Sequence, residues 1–384
     1  MSFLDHLPLA AFGKSSVPLA FYEFVFATTA CVLGAIIGSF LNVCIYRLPL
    51  GLSVNEPRRS FCPHCKAQIA WYENLPVVSW LFLRGRCGHC GKPIAVRYPL
   101  VELLTAVLFY LVYHRFRDQW ILIGPYWIFT ALVIVATFID FDHFIIPDEI
   151  TWGSVGAGLI LSFAIPTLMG AASHPEGLLW SAIGAAAGYF TLWGVVEAGK
   201  LAFGRKRVRL PQAQDFVWQR QGEHDAVMRI GAESETWSEY FARESDELVL
   251  HCDKLTLAGR EHADAVLRCF YNRVELDGTV HPIEKLEEFS GTLREFVFPR
   301  EAMGFGDVKF IAGIGAFLGW RAVFFTIAAA SMVGAVVGVG LLLLGPKSRS
   351  LKIPFGPYLS LGALVWMFAG PEIVRWYFSL LRIN

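Results

Sequence analysis

The sequence predicts an α-helical polytopic membrane protein of about eight transmembrane helices, with a cysteine-bearing loop and a small β-rich or α+β soluble insert. Three observations predict it. Hydrophobic residues make up 55% of the 384-residue chain and charged residues only 17%, with a mean hydropathy of +0.47, whereas a soluble domain carries roughly a quarter charged residues. Apolar runs recur at or near the about 20 residues that a bilayer-spanning helix needs. One block, residues 205–300, breaks that pattern and holds most of the acidic residues.

The candidate spans are 24–46, 98–113, 119–139, 150–173, 177–196, 308–320, 322–346 and 353–371. Residues 98–113 are short and contain Glu102, and the Gly-rich 308–320 is the weakest of the eight. The chain accordingly divides into a tail and first helix (1–47), a loop (48–97), a membrane core (98–204), the insert (205–300) and a second stretch of core (301–384). Residues 1–20 contain Asp5 and His6 and lack a basic start, so they read as a tail before a retained helix, not as a cleaved signal peptide.

Basic residues set the orientation. Residues 48–97 hold Arg58, Arg59, Lys66, Arg84, Arg86, Lys92 and Arg97 against Glu56 and Glu73, and Lys347, Arg349 and Lys352 crowd another short segment. Lys and Arg favour the cytoplasmic side, and both segments fall there if the N-terminus is outside. Arg115 and Arg117 then lie outside, against the trend, and are outnumbered. The net formal charge of zero gives no footprint for nucleic acid.

The insert opens on the basic stretch "RKRVRL", a juxtamembrane anchor. "ELVLHCDKLTLAG" partly alternates apolar and polar residues, and "YNRVELDGTVHP" sets Asp277-Gly278 between short β-like runs, so both read as hairpin strands. "PIEKLEEFSGTLREF" reads as a short helix. His224, His251, His262 and His281 are scattered without ligand spacing and read as surface histidines.

The cysteines are of two kinds. "FCPHCKAQ" and "GRCGHCGK" each carry a C-x2-C pair, Cys62 with Cys65 and Cys87 with Cys90, and 21 residues separate the pairs. That resembles the spacing of four-cysteine zinc sites. A disulfide pair or free thiols are the alternatives, and a cytoplasmic loop disfavours disulfides. Four protein ligands leave no open position on the metal, which makes its role structural. Cys31, Cys44, Cys252 and Cys269 show no such pairing and read as packing residues.

The acids are concentrated where an apolar run ends. "FIDFDHFIIPDEI" places Asp140, Asp142, Asp148 and Glu149 within ten positions, directly after the uncharged stretch 119–139. Far downstream, "GFGDVKF" places Asp307 after a Gly-rich bend. Each acid has a plain explanation: exit into water, or a helix N-cap, which is the expectation for Asp148 and one reading of Asp307. Two Asp residues at the same ends of different membrane helices form a stronger signal, because acids at membrane depth have functional reasons.

Taken together, "GSFLNVCIYRLP" (38–49), "RSFCPHC" (59–65), "ENLPVVSWLFLRGRCGHC" (73–90), "RYPLVELLTA" (97–106), "IDFDHFIIPD" (139–148), "GFGDVK" (304–309) and "PFGPYL" (354–359) resemble the bacterial type IV prepilin peptidases. The insert departs from the usual pattern of that family, in which the segment before the second Asp motif is short. The resemblance implies an aspartic protease of the bacterial inner membrane, with its active site facing the cytoplasm. It would cut the leader from prepilins or pseudopilins and then methylate the new N-terminus with S-adenosylmethionine, alongside a pilus or type II secretion machine. The family's catalytic pair maps onto Asp140 and Asp307, with Asp142 the alternative to Asp140. Lys309, two residues beyond Asp307, either tunes that site or faces lipid headgroups.

For the methyl donor the resemblance points to Gly38, Asn42, Arg47 and Glu102. Asn42 and Glu102 are also polar groups inside apolar runs, for which helix-to-helix hydrogen bonding is an equal reading. Two rival classes are an ion-coupled transporter, which leaves the cysteine pairs unexplained, and a non-catalytic zinc-bearing secretion scaffold, which would not need either acid.

Overall fold

A computed structural model describes residues 19–57, 60–62, 64–203, 205–221, 225–231, 233–241, 246–299, 304–344 and 354–381. Arg58, Arg59, His224, Lys347, Arg349 and Lys352, together with most of the N-terminal tail, lie outside the described residues. The chain forms two compact units, Met1–Trp193 with Gly304–Asn384, and Gly194–Met303.

The first unit is helical. Its long helices are α1 (Leu19–Arg47), α3 (Arg97–Phe116), α4 (Ile123–His143), α5 (Asp148–Ala164), α6 (His174–Phe203), α7 (Phe305–Leu318), α8 (Trp320–Leu344) and α9 (Gly356–Leu380); the short α2 (Val78–Phe82) lies in the loop after α1. They carry apolar residues around their circumference, with large ones such as Phe24, Phe190, Met332 and Leu342 exposed. That is how lipid-facing helices look, and water-facing helices do not. Among the described residues, five segments are long and apolar enough to cross a membrane: Phe21–Leu50, Arg97–His143, His174–Gly199, Trp320–Leu343 and Gly356–Leu380. The second contains both α3 and α4, separated at Gln119, where φ is −129° and ψ 54°. α5 and α7 are shorter, at 17 and 14 residues.

Close helix contacts replace a water-driven core. A Cβ on Gly38 of α1 would lie 2.7 Å from Cα of Glu102 in α3, and Cβ atoms on Gly184 and Gly315 would each lie 2.1 Å from the other residue's carbonyl oxygen. Small residues at such crossings let backbones touch, which is the main source of cohesion between helices in lipid. The hydroxyl of Ser181 adds a bond of 2.7 Å to the Ala316 carbonyl. Together with the approach of Gly158 to Ala316, these contacts fix α5, α6 and α7 against one another.

The second unit is an eight-stranded antiparallel sheet. Its strands are β1 (Arg205–Gln221), β2 (Asp225–Ile230), β3 (Glu233–Thr236), β4 (Leu248–Leu257), β5 (Arg260–Cys269), β6 (Arg273–Leu276), β7 (Thr279–Pro282) and β8 (Glu288–Pro299). Their order in the sheet is β3-β2-β1-β8-β4-β5-β6-β7. The strands by which the chain enters and leaves are paired, with Arg205 opposite Pro299. A buried core of Phe216, Trp218, Met228, Leu250, Leu267 and Phe289 covers one face, and the Trp218 and Phe289 rings stack at 4.9 Å. Asp277 and Gly278 both have positive φ, 49° and 80°, as a tight two-residue hairpin requires. Burial pushes the Cys252 thiol up to about 12, helped by Asp253, which fits a packing residue.

The helix expected over 282–296 is not there. Pro282 ends β7, Ile283–Lys285 form one 3-10 turn, and from Glu288 onward the segment is β8. Phe289, Leu293 and Val297 are buried at intervals of four, which suits one helix face; four is also even, so it suits one strand face as well. Pairing with β1 on one side and β4 on the other decides for the strand.

Candidate active site

Asp140 sits in the last turn of α4, which ends where Phe144 turns left-handed at φ 56° and returns its N–H to the Asp140 carbonyl. Asp307 is the third residue of α7, whose N-cap position is Gly304. Both side chains are buried, with residue exposures of 5% and 8%, and they are close enough for their charges to interact. Among the described residues neither acid forms an ion pair. The backbone N–H of Gly356, the first residue of α9, donates to Oδ2 of Asp140 at 2.9 Å.

Ile146 joins these three motifs. A Cβ on Gly306 would contact its backbone N and its Cβ at 3.4 Å, and one on Gly356 would contact its Cδ1 at 3.0 Å. The ends of α4, α7 and α9 therefore converge around two buried carboxylates and one buried isoleucine.

The neighbouring acids are placed differently. Asp148 does not cap α5: the N-cap position is Pro147, without a side-chain hydrogen bond. Asp148 is instead the first helical residue, where the dipole favours an acid, and it pairs with Lys309 of α7. Nor does Asp307 occupy the cap of α7. Asp142 is exposed and pairs with Arg97 at the start of α3.

The cysteine loop is built from two copies of one turn. Cys62 N–H bonds the Ala67 carbonyl and Lys66 N–H returns to Cys62; Cys87 N–H bonds Lys92 and Gly91 N–H returns to Cys87, all at 2.9 Å. Lys66 and Gly91 are both left-handed, at φ 59° and 68°. The four ligand sulfurs of Cys62, Cys65, Cys87 and Cys90 lie within 4.8 Å of one another, and Cys62 Sγ is 3.9 Å from Cys90 Sγ. A tetrahedral zinc with bonds of about 2.3 Å sets sulfurs about 3.8 Å apart, so the cluster fits a metal ion. Burial opposes the Cys62 thiolate, but the amides of Cys65 and His64 and the Cys87 and Cys65 thiols outweigh it and bring that thiol down to about 7.

Between this loop and the starts of α1's last turns and α3 lies a cavity of about 510 Å³, lined among others by Asn42, Tyr46, Arg47, Trp80, Arg97 and Glu102. The Asn42 amide donates to the Tyr98 carbonyl at 3.1 Å, while its Oδ1 is buried without a partner among the described residues. Glu102 Oε2 accepts the Val77 N–H at 2.7 Å; Val77 has φ 61°, a costly conformation for a β-branched residue. Arg47 donates to the carbonyls of Ser53, Val54 and Pro57 and so shapes the wall. Gly38 is where α1 meets α3. The volume and the orphaned acceptor fit a small polar ligand such as S-adenosylmethionine.

The sequence marks Arg97 only as one of the basic residues of 48–97 and does not mark Gly356. "RYPLVELLTA" and "PFGPYL" contain them, but an arginine before an apolar run and a glycine beside proline carry no chemistry until their partners are known.

Comparison with known proteins agrees with this layout. The model of the Bacterial Peptidase A24 N-terminal domain matches residues 32–116, covering the C-terminal half of α1, the cysteine loop and α3. The Type IV leader peptidase family model matches 127–205 and 279–339, and so spans both carboxylates and breaks within the insert. The prepilin leader peptidase/N-methyltransferase of Myxococcus xanthus (strain DK1622) is 31% identical over 94% of this chain and 78% of its own length. The enzyme of that name from Aeromonas hydrophila is 29% identical over 94% of this chain and 96% of its own, and that from Neisseria gonorrhoeae 39% over 46% and 66%. No solved structure matches. Family models that follow the helices on both sides of the insert, and relatives aligned along nearly the whole chain, place this protein in the Type IV leader peptidase family, the membrane aspartic peptidases that are also N-methyltransferases.

Proposed function

We propose that Asp140 and Asp307 are the catalytic pair that cuts the leader from prepilins or pseudopilins, the substrate class named for the relatives. The observation that carries this reading is the convergence of two buried carboxylates from α4 and α7 without a cationic partner among the described residues. Two carboxylates at close quarters share a proton. The ionised one takes a proton from water as its oxygen attacks the scissile carbonyl. The protonated one donates to the developing oxyanion, and a proton then passes to the leaving amine as the C–N bond breaks. The pair titrates as a unit.

The cavity beside α1 and α3 is the methyl-transfer site in this reading. Asn42, Glu102 and the walls set by Arg47 and Gly38 would hold S-adenosylmethionine, which supplies an electrophilic methyl group to the new N-terminal amine. Cys62, Cys65, Cys87 and Cys90 hold one zinc ion that orders the loop 48–97, and with four protein ligands it takes no part in catalysis.

In this reading the eight helices correspond to the eight spans, α5 and α7 being short ones of 17 and 14 residues, and the basic loop favours the cytoplasmic side of a bacterial inner membrane for both sites. Residues 205–300 are a soluble domain that serves as a binding module, for the pilin or for the pilus or type II secretion machinery. Incubating the purified protein with a prepilin tests the central claim. Leader release that stops in Asp140→Asn and in Asp307→Asn is expected; cleavage by either well-folded variant at the native rate would remove that acid from the mechanism.

A further inference from the structure

The start of α9 has an unusual hydrogen-bond balance. The first amides of a helix have no partner within it and must find one elsewhere. Pro357 has no N–H, and the amides of Tyr358 and Leu359 both bond the Phe355 carbonyl, at 3.0 and 3.1 Å. Gly356 is left with a free donor, and that donor is the one on Oδ2 of Asp140, in a buried contact between residues 216 apart. The missing side chain matters equally. A Cβ at 356 would stand 2.7 Å from Oδ2 and 3.3 Å from Cγ of Asp140, closer than van der Waals contact allows.

We propose that Gly356 is a positioning residue for the peptidase carboxylate: its amide holds one oxygen of Asp140 while its lack of a side chain leaves that carboxylate room. Among the described residues this amide is the hydrogen-bond donor to the Asp140 carboxylate, and so it sets which oxygen is held. With Oδ2 held, Oδ1 is the oxygen left for water. An amide aimed at an ionised acceptor makes a strong, directional bond, and the N-terminal end of α9 adds a favourable field. The centre of "PFGPYL" is thereby explained: Phe355 absorbs two amides, Pro357 supplies none, and Gly356 offers the one that remains.

This inference rests on Asp140 being catalytic, and the experiment separates the two. Leader cleavage is measured for Gly356→Ala, for Gly362→Ala and for Asp140→Asn, each in the full-length chain. It is also measured for a chain in which the 355–356 amide is replaced by an ester, which deletes the N–H without adding a side chain and also weakens the Phe355 carbonyl as the acceptor of the Tyr358 and Leu359 amides. Gly362→Ala is the steric control: it lies on the same helix as Gly356, and its Cβ would crowd the Thr326 carbonyl of α8 at 2.9 Å. Gly356→Ala should lower kcat about 100-fold, as displacement of a reacting group by about 1 Å does, with KM nearly unchanged. The ester should lower kcat roughly ten- to hundredfold, the worth of a charge-assisted hydrogen bond. Gly362→Ala should lower thermal stability and leave kcat within a few-fold of native. Ile146→Val in the Gly356→Ala background should not restore the rate, since relief at Ile146 leaves the carboxylate displaced. An inactive Asp140→Asn beside an ester chain of native kcat would overturn the positioning role while sparing the catalytic pair. Native cleavage by Asp140→Asn would overturn both. Should Gly356→Ala fail to fold, the ester chain decides.

Discussion

Asp140 and Asp307 differ from Asp142 and Asp148 in their surroundings more than in their sequence neighbourhoods. The first two are buried, carry no ion pair among the described residues and interact with each other. The second two have side chains 35% and 62% exposed, and each is matched to a cation, Arg97 or Lys309, from another helix. An exposed paired acid organises a helix end at little cost. A buried acid without a cation is expensive to keep, which is why such groups accumulate at functional sites. Two residues along α4 separate one kind from the other.

The largest effects should come from the buried class. Asp140→Asn and Asp307→Asn keep shape and lose proton transfer, so each should reduce leader release by about 1000-fold or more while the protein still elutes as a folded species in detergent. Mass spectrometry of the peptide product checks this. A variant that elutes normally and cleaves at one tenth of the native rate would dissolve the distinction between the two classes.

Next in size is the cysteine cluster. Metal analysis of protein purified without chelators should give one zinc per chain. Cys62→Ser should lose it and loosen residues 48–97, because loop order is tied to the metal. Methylation of a pre-cleaved peptide should fall at least tenfold and more than cleavage does, since the loop walls the cavity of Asn42 and Glu102 and not the Asp140 site. Equal losses in the two reactions would mean that the loop serves both.

The insert should matter less to the chemical step. Arg205 and Pro299 are paired partners, so a short flexible linker in place of 210–295 spans the gap and leaves the helical unit able to fold. The shortened enzyme should keep cleaving, with a rate or substrate preference changed several-fold. A well-folded deletion that is inactive on every prepilin tried would make the domain part of the active site.

What the sequence could and could not reveal follows from the range of each interaction. The cysteine turns were legible because each is a six-residue pattern with its own hydrogen bonds, and the polytopic helical class because apolar composition marks long helices. Among the described residues five segments are long and apolar enough to cross a membrane. Asp148 was misread as a cap because its partner, Lys309, is 161 residues away. The strand at 288–299 was misread as a helix because spacing of four serves both periods and its neighbours decide. Gly356 acts through a backbone N–H, for which a sequence has no letter. Composition and spacing mark Asp140 as one of four acids, and the family resemblance sets it ahead of Asp142; its burial is a tertiary property that no local pattern carries.

The smallest effect tests the exposed class directly. Asp142→Asn removes the charge that faces Arg97, and Asp148→Asn the one that faces Lys309. Exposed ion pairs are worth about 0–1 kcal/mol, so each change should slow leader release by no more than about fivefold. Arg97 also lines the cavity, and without Asp142 its guanidinium loses one anchor. Asp142→Asn should therefore weaken methylation of a pre-cleaved peptide more than it weakens cleavage, while Asp148→Asn should leave methylation unchanged. Salt gives a second reading, since raising ionic strength screens exposed pairs and should shrink the difference between native and Asp148→Asn protein. Cleavage by Asp142→Asn as deficient as that by Asp140→Asn would put the second acid of the D-x-D stretch into the chemistry and erase the division between the two classes.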